Sequence, residues 1–309
     1  MNPASDISVI IPLYNKASSI ERTLRSVVGQ SVPPREIIVV DDGSTDSSAA
    51  VVERVASPLV RLVRQPNGGV SVARNRAMAE ASGRWVALLD GDDVWEKEYL
   101  ERLERLIAAY PDCGAYGMGF WVETDGRRTL GRFPDEEGVV DFFSLSMTRY
   151  VLIPSATTLN RELALSLGGF PEGMRMGEDQ YLWTKIARSA KVAFAPHPAA
   201  IYSRSAENRS AAIYRAEQTA FSFEDLYVEG ATDMSNEYVA RVALGKALVE
   251  CVRGSGDAAA RALRFFSYNR LSKRIERKLR LFAALPAGVR GWVYDLYNYM
   301  AWMIARKGM

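Results

Sequence analysis

The amino-acid sequence predicts an α/β fold: a Rossmann-like, mainly parallel sheet flanked by helices, continued by a helical C-terminal region. Three observations carry that expectation. Continuous apolar, β-branched runs such as ISVIIPL (7–13) and EIIVV (36–40) read as strands buried on both faces. A segment of helical period follows each run. Beyond Ser210 only the helical period remains, to residue 309.

In chain order, ISVIIPL is the first strand. The helix after it falls in SSIERTLRSVV, where Ser18 and Glu21 have capping-box spacing and Ile20, Leu24 and Val27 share one face. EIIVV is the second strand, with a helix starting near Asp46 or Ser47, and LVRLV (59–63) is the third. NGG then reads as a turn, SVARNRAMAEA as a helix and RWVALL as the fourth strand. EKEYLERLERLIAAY follows as a helix with Leu100, Leu103 and Ile107 on one side. The middle changes character: AYGMGFWVETDGRRTLGRF reads as a hairpin about Asp125-Gly126, PSATTLN as another strand and EDQYLWTKIARSA as a short amphipathic helix. The C-terminal helices break near RGSGD (253–257) and at Pro286.

Composition narrows the class. With 48% hydrophobic and 25% charged residues, the chain can bury a substantial core. Two cysteines, Cys113 and Cys251, are too few for a disulfide framework and lack metal-ligand spacing, so they read as packing residues of a reducing compartment. MNPASDISVII reads as no signal peptide, and no apolar run reaches about 18 residues, so a cytoplasmic location is expected. The formal net charge of +2 hides an asymmetry. Residues 261–309 hold eleven Lys/Arg against two Asp/Glu, a balance of +9, which leaves −7 for the other 260 residues. A basic tail on an acidic body implies an anionic partner for the tail.

In an open parallel sheet, ligands bind outside the carboxyl ends of the strands. Here those ends carry Pro12-Leu13-Tyr14-Asn15, Asp41-Asp42-Gly43-Ser44 and Asp90-Gly91-Asp92-Asp93. Any one of these reads equally as an ordinary turn or cap, but three on one sheet edge point to a site. The crowded carboxylates of Asp90, Asp92 and Asp93 raise one another's pKa unless a cation lies among them. Asp-Gly-Asp suits Mn²⁺ or Mg²⁺: Gly91 allows a tight turn, two carboxylates return to one point, and phosphate oxygens and water complete the shell. No Walker loop or Gly-x-Gly-x-x-Gly is present, which leaves phosphate binding to the metal with help from Arg74.

At this point the residues resemble a known family. SVIIPLYNK, IERTLRSVVGQ, EIIVVDDGSTDSS, PNGGVSVARNRAMAEASGRWVALLDGDD and GEDQYLWTKIA are similar, in order and spacing over roughly residues 6–210, to glycosyltransferase family 2. These are the inverting nucleotide-sugar transferases of GT-A fold. The resemblance implies a catalytic domain over 1–210, with a nucleotide-sugar half (1–110) and an acceptor half (111–210), followed by a helical region (211–309). It implies a donor pocket of Pro12, Tyr14, Asn15, Asp41, Asp42, Arg74, Asp90 and Gly91, a metal held by Asp92 and Asp90, and Asp179 as catalytic base. Asp93, Glu178 and Trp183 would lie on the acceptor side. The implied partners are a nucleotide-sugar donor, UDP-linked, and a glycan or lipid-linked acceptor of surface polysaccharide synthesis.

One departure stands out. Many relatives have Tyr-x-x-His after the base, with a Ser further on; YSRSAENRS places Tyr202 and Ser210 but has Ser205 at the histidine position. Arg204 and Asn208 are then candidates for diphosphate contact. The lone His197, between two prolines, reads as a loop residue before a ligand. Two other functions compete: a nucleotidyltransferase, which calls for a basic glycine-rich loop where PLYNKASS offers only Lys16, and a non-catalytic nucleotide- or glycan-binding scaffold of the same fold. In the tail, Lys273, Arg274, Arg277, Lys278 and Arg280 precede Val289, Trp292, Val293, Leu296, Met300 and Met303 at helical spacing, with Tyr294, Tyr297 and Trp302 off that stripe. This pattern fits a helix lying on the inner face of an anionic membrane. Packing on the catalytic domain or on a second copy in a homo-oligomer is the alternative, and nucleic acid is not an expected partner.

Overall fold

The computed structural model describes residues 5–174, 176–204, 223–253 and 256–307. The chain forms two compact units, Met1–Met174 with Glu178–Ala212 and Arg175–Gly177 with Ile213–Met309.

The first unit is built on one sheet. Its described strands are β1 (Ile7–Leu13), β2 (Glu36–Asp41), β3 (Val60–Arg64), β4 (Trp85–Leu88), β5 (Val94–Trp95), β6 (Cys113–Thr124), β7 (Arg127–Leu130), β8 (Gly138–Val140), β9 (Thr157–Asn160) and β10 (Lys191–Ser203). They lie in the order β3-β2-β1-β4-β9-β6-β10-β5, with β7 on β6 and β8 on β10. From β3 to β4 all pairs are parallel. Beyond β4 the sheet is mixed: β9 runs antiparallel to both β4 and β6, while β6 and β10 are parallel. The apolar runs are buried as their sequence requires; Val9, Ile10, Ile11 and Ile37 to Val40 have no exposed surface.

The chain leaves β1 for β2 and β3 on one side and returns to β4 on the other, so a topological switch lies between β1 and β4. Crevices for ligands open at such points. Register brings the strand ends together: Leu13 lies beside Asp41, and Ile10 beside Leu88. Leu89 still donates its N–H to the Ile10 carbonyl, after which the chain turns, closed by Asp93 N–H to the Asp90 carbonyl. A Cβ at Gly91 would come to 3.4 Å from the Pro12 carbonyl oxygen, which shows how closely the turn passes the end of β1.

Helices α1 (Ile20–Val28), α2 (Ser48–Arg54), α3 (Val70–Glu80), α4 (Tyr99–Ala109), α5 (Phe142–Ser146), α6 (Arg161–Ser166) and α7 (Glu178–Ser189) complete the unit. The face of Ile20, Leu24 and Val27 is buried as expected, but the capping box is not formed. The helix starts at Ile20, after Ser19, and Glu21 pairs with Arg25 at 2.7 Å instead. The Ser19 hydroxyl is drawn to a longer-range partner, the Gly91 carbonyl at 2.9 Å. The β6–β7 hairpin forms as read, with Asp125 (φ 49°) and Gly126 (φ 75°) both in the left-handed region that a primed turn requires.

The second unit is helical where described: a short turn at Phe223–Leu226, then helices Met234–Arg253, Gly256–Phe265, Lys273–Ala284 and Ala287–Lys307. Leu244, Leu248 and Cys251 of the first long helix are buried, as are Phe266, Leu279 and Phe282 from the segments packed on it. Glu237 ties the next turn down by accepting the N–H groups of Arg270 and Leu271 at 2.7 and 3.0 Å. Pro286 ends one helix as its missing N–H predicts. Among the described residues no helix is long and apolar enough to cross a membrane.

Gly117 on β6 is a close approach that no larger residue fits: a Cβ would lie 2.1 Å from the Val151 carbonyl and 2.8 Å from the Phe194 ring. Gly117→Ala is expected to destabilise the protein by about 1–3 kcal/mol, the usual cost of overpacking, read as a lower urea midpoint with unchanged slope.

Candidate active site

The site is assembled from the loops after β1, β2 and β4, which are tied to one another by side-chain to backbone hydrogen bonds. Asn15 takes a left-handed conformation (φ 50°), which Asn tolerates better than most residues. Its side-chain oxygen accepts the N–H groups of Thr45 and Asp46 at 2.8 and 3.3 Å, while its own N–H donates to Ser44 Oγ. The Lys16 N–H donates to Ser48 Oγ at 2.8 Å. The first loop is thereby clamped onto the second, with Pro12 half-buried and Tyr14 exposed above them. Asp41 is buried and accepts the Ser44 N–H at 3.0 Å. Asp42 does something that the sequence does not reveal. Its carboxylate accepts Gln65 Nε2 (2.7 Å) and the N–H groups of Gly68 and Gly69 (2.8 Å each), so it anchors the NGG turn at the N-terminus of α3. A negative charge there also suits the helix dipole.

At the centre is Arg74, on the first turns of α3 and only 3% exposed. Nη2 donates to Asp90 Oδ1 at 2.8 Å and Nη1 to Glu178 Oε1 at 3.2 Å. The guanidinium lies over the Phe170 ring, 5.1 Å from its centroid. Burial alone would lower the arginine pKa, but Asp90 and Glu178 outweigh it and hold the group above its ordinary value. The second cation is Lys16, whose Nζ meets Asp92 Oδ2 at 2.6 Å. The crowded aspartates are therefore balanced by two basic side chains from different loops. Even so, burial and the neighbouring Asp90 push the Asp92 carboxyl above its usual range, against the pull of Lys16.

Asp93 faces inward. It is 1% exposed, accepts the hydroxyl of Ser155 and the N–H of Ser203 (2.7 Å), and is pushed well above the carboxylate range by burial and by Asp92 and Asp90. Ser155 sits in a short turn at Pro154–Ala156 before β9, and its Oγ also receives the Asp90 N–H at 3.1 Å. One hydroxyl thus braces both ends of the turn. Its partners lie more than sixty positions away, which is why no local pattern marks Ser155.

Glu178 and Asp179 open α7, where two acidic residues match the helix dipole. Burial and then Asp179 raise the Glu178 carboxyl to about 7, and burial raises Asp179 in turn. Both feel the charges of Arg74 and Asp90, so the expected base and the Asp-Gly-Asp turn belong to one electrostatic cluster. Three expectations need correction or limits. Trp183 is 1% exposed and packs edge-on against Phe170, so it is a core residue and offers no exposed platform. His197 lies within β10 and not in a loop, where it feels Arg102 and Glu98 of the α4 segment. Arg204 follows Ser203 at the end of β10, exposed; Ser205, Asn208 and Ser210 lie outside the described residues.

Among the described residues no three His, Cys, Asp or Glu side chains converge to hold a metal alone. The donor set nevertheless fits a hard divalent cation that a ligand helps to complete: two carboxylates of one turn, partly exposed at 29% and 14%, with repulsion to relieve. Asp90 and Asp92 would hold it, and Lys16 is the side chain that a metal at Asp92 would displace.

Comparison with known proteins bears on the family and the fold. The family described as "Glycosyl transferase family 2" matches residues 8–184, more than half of the 309-residue chain. Bacillus subtilis TuaG, a putative teichuronic acid biosynthesis glycosyltransferase by name, is 43% identical over 99 residues, 31% of this chain and 39% of TuaG. The chain spans well under half the length of the first curated relatives it matches, 28% and 39%. Residues 1–349 of S. aureus TarS, solved with UDP-GlcNAc, share the fold with a TM-score of 0.62 at 24% identity, over 85% of this chain and 73% of that one. The mannosyltransferase PcManGT from Pyrobaculum calidifontis, solved with GDP-Man and Mn²⁺, does so with a TM-score of 0.56 at 20% identity, over 94% and 88%.

A carboxyl whose folded-state pKa is raised stabilises the fold fully below its unfolded value and loses that contribution as pH rises through the folded value. For Glu178 the window runs from about pH 4.5 to about pH 7. The Tm of the ligand-free protein is expected to fall across it. Glu178→Gln should flatten the fall without removing it, because Asp92, Asp93 and Asp179 are shifted in the same direction. An unchanged slope in the variant would show that Glu178 does not titrate there.

Proposed function

The chain belongs to glycosyl transferase family 2, and from that premise we propose that it is a metal-dependent, inverting transferase using a UDP-sugar donor. The acceptor is a glycan or lipid-linked glycan of surface polysaccharide synthesis, the setting that the name of the TuaG relative also carries. One observation supports this reading most: Asp179 shares a single charge cluster with the Asp90-Gly91-Asp92 turn, joined through Arg74. A base for the acceptor and carboxylates for the donor's metal thus meet where the sheet switches direction.

The proposed chemistry is one displacement. Asp179 accepts the proton of the acceptor hydroxyl as that oxygen attacks the anomeric carbon from the face opposite the diphosphate. Its burial raises its basicity, which brings it closer to the ideal for proton transfer near neutral pH. Arg74 holds Asp90 and Glu178 in fixed positions, so the carboxylates need little reorganisation when substrate arrives. Tyr14, Asn15 and Asp41 line the strand ends where a nucleoside would lie. Asp90 and Asp92 would hold Mn²⁺ or Mg²⁺, which would supply Lewis-acid neutralisation of the leaving diphosphate. A single inversion makes a β-linkage from an α-linked donor.

Calorimetric titration of UDP, GDP and dTDP, with and without Mn²⁺, tests the donor site. UDP is expected to bind in a manganese-dependent way that Asp92→Asn abolishes. Tighter binding of GDP would reassign the donor, and no binding by folded protein would overturn the transferase reading in favour of a scaffold. Asp179→Asn is expected to lower kcat by about 10²–10⁴-fold while nucleotide affinity is retained. Parallel loss of both would place Asp179 in the donor site.

A further inference from the structure

The second unit carries charge and exposed apolar surface that its own packing does not use. Helix Lys273–Ala284 buries Glu276, Leu279 and Phe282, and turns Lys273, Arg274, Arg277, Arg280, Leu281 and Ala284 outward. These positions recur every three or four residues and form one helical face. The single acid, Glu276, is already neutralised by Lys273 at 2.9 Å and Arg280 at 2.8 Å. Arg274 and Arg277 make no ion pair among the described residues; Arg277 only reaches the Lys273 carbonyl at 3.4 Å. Neither guanidinium faces an opposing charge among the described residues.

Large apolar side chains of the same unit are exposed as well. Trp292 is 69% exposed, Leu281 60%, Leu271 56% and Tyr268 69%. The helix Ala287–Lys307 docks through its other side: Tyr294 packs edge-on against Phe282 at 5.5 Å, and Lys278 lies over the Tyr297 ring at 4.0 Å. That docking leaves Val289, Trp292 and Leu296, with part of Tyr297, exposed among the described side chains. Single exposed leucines are ordinary, but an outward tryptophan grouped with several aliphatics marks an interaction surface.

We propose that this face, built from Arg274, Arg277, Leu281, Val289 and Trp292, docks on the surface of an anionic lipid bilayer. The occupant follows from the combination. Unpaired arginines suit a surface of spread negative charge, and leucine and tryptophan suit the boundary between headgroups and acyl chains. No described helix is able to span, so the contact is interfacial. A nucleic acid would use the charge but leave Leu281 and Trp292 without a role. A second copy of the chain would cover the apolar residues but set arginine against arginine. The inference does not depend on the proposed sugar transfer and is tested without donor or acceptor.

The test is co-sedimentation of the full chain with vesicles of phosphatidylcholine alone or mixed with phosphatidylglycerol. Binding is expected only to the mixed vesicles, weakened by high salt. Arg274→Glu with Arg277→Glu should lower the partition coefficient on the order of tenfold or more. Trp292→Ala should lower it severalfold at unchanged charge, and subtraction of Trp292→Phe spectra should show the Trp292 emission shifting to the blue on binding. All of these positions are exposed, so the variants should fold, and circular dichroism checks this. Absence of pelleting by folded protein overturns the proposal. So does charge-dependent binding that Trp292→Ala leaves untouched, the signature of a general polyanion site, and so does a stable dimer in sedimentation equilibrium that buries Trp292.

Discussion

A buried guanidinium makes the acidic edge of the sheet tolerable. Arg74 lies between Asp90 and Glu178 and within the field of Asp179, so a set of carboxylates that would otherwise repel one another is gathered around one fixed positive charge. Removing one partner from such a buried pair costs about 3–5 kcal/mol in general, because the other charge is left desolvated. The cation–π contact with Phe170 and the helical backbone of α3 hold the arginine in place. That one side chain ties the turn after β4 to the start of α7.

Around this centre, polar side chains do work that regular secondary structure does elsewhere. Loops that must approach a ligand expose backbone groups, and each needs a partner. Asn15, Ser44, Ser48 and Asp42 supply those partners, tying the loops after β1, β2 and β3 into a rim. Asp42 shows how a residue that resembles a ligand contact can be a scaffold: its carboxylate is filled by two glycine N–H groups and one glutamine. The adjacent Asp41 accepts one backbone bond, from Ser44.

The parts legible in the sequence were those written over short distances. Burial on both faces makes β1, β2 and β4 continuous apolar runs, and their ends fall directly before the polar clusters, so the strands and the acidic edge of the sheet are legible in the sequence alone. The helix opened by Glu178 and Asp179 is legible from its amphipathic period. What could not be read depends on partners far apart in the chain. Lys16 and Asp92 are 76 positions apart, and Ser155 stands 65 and 62 from Asp90 and Asp93. The capping box failed for a local reason: the helix starts one residue later than the pattern implies, after Ser19, and Glu21 pairs with Arg25 instead. Trp183 was ambiguous because a buried and an exposed aromatic look alike at helical spacing, until Phe170 is seen against it.

Ser155 carries a consequence for how this protein can be altered. Its hydroxyl receives the Asp90 N–H and donates to Asp93, while its carbonyl accepts the Trp95 indole N–H at 2.7 Å. The segment leading into β9 and the carboxylate turn after β4 are therefore one mechanical piece. A graft that exchanges the stretch from β8 to β9 would also move the turn that carries Asp90, Asp92 and Asp93. The two segments can be redesigned separately only if residues 154–156 stay with the host.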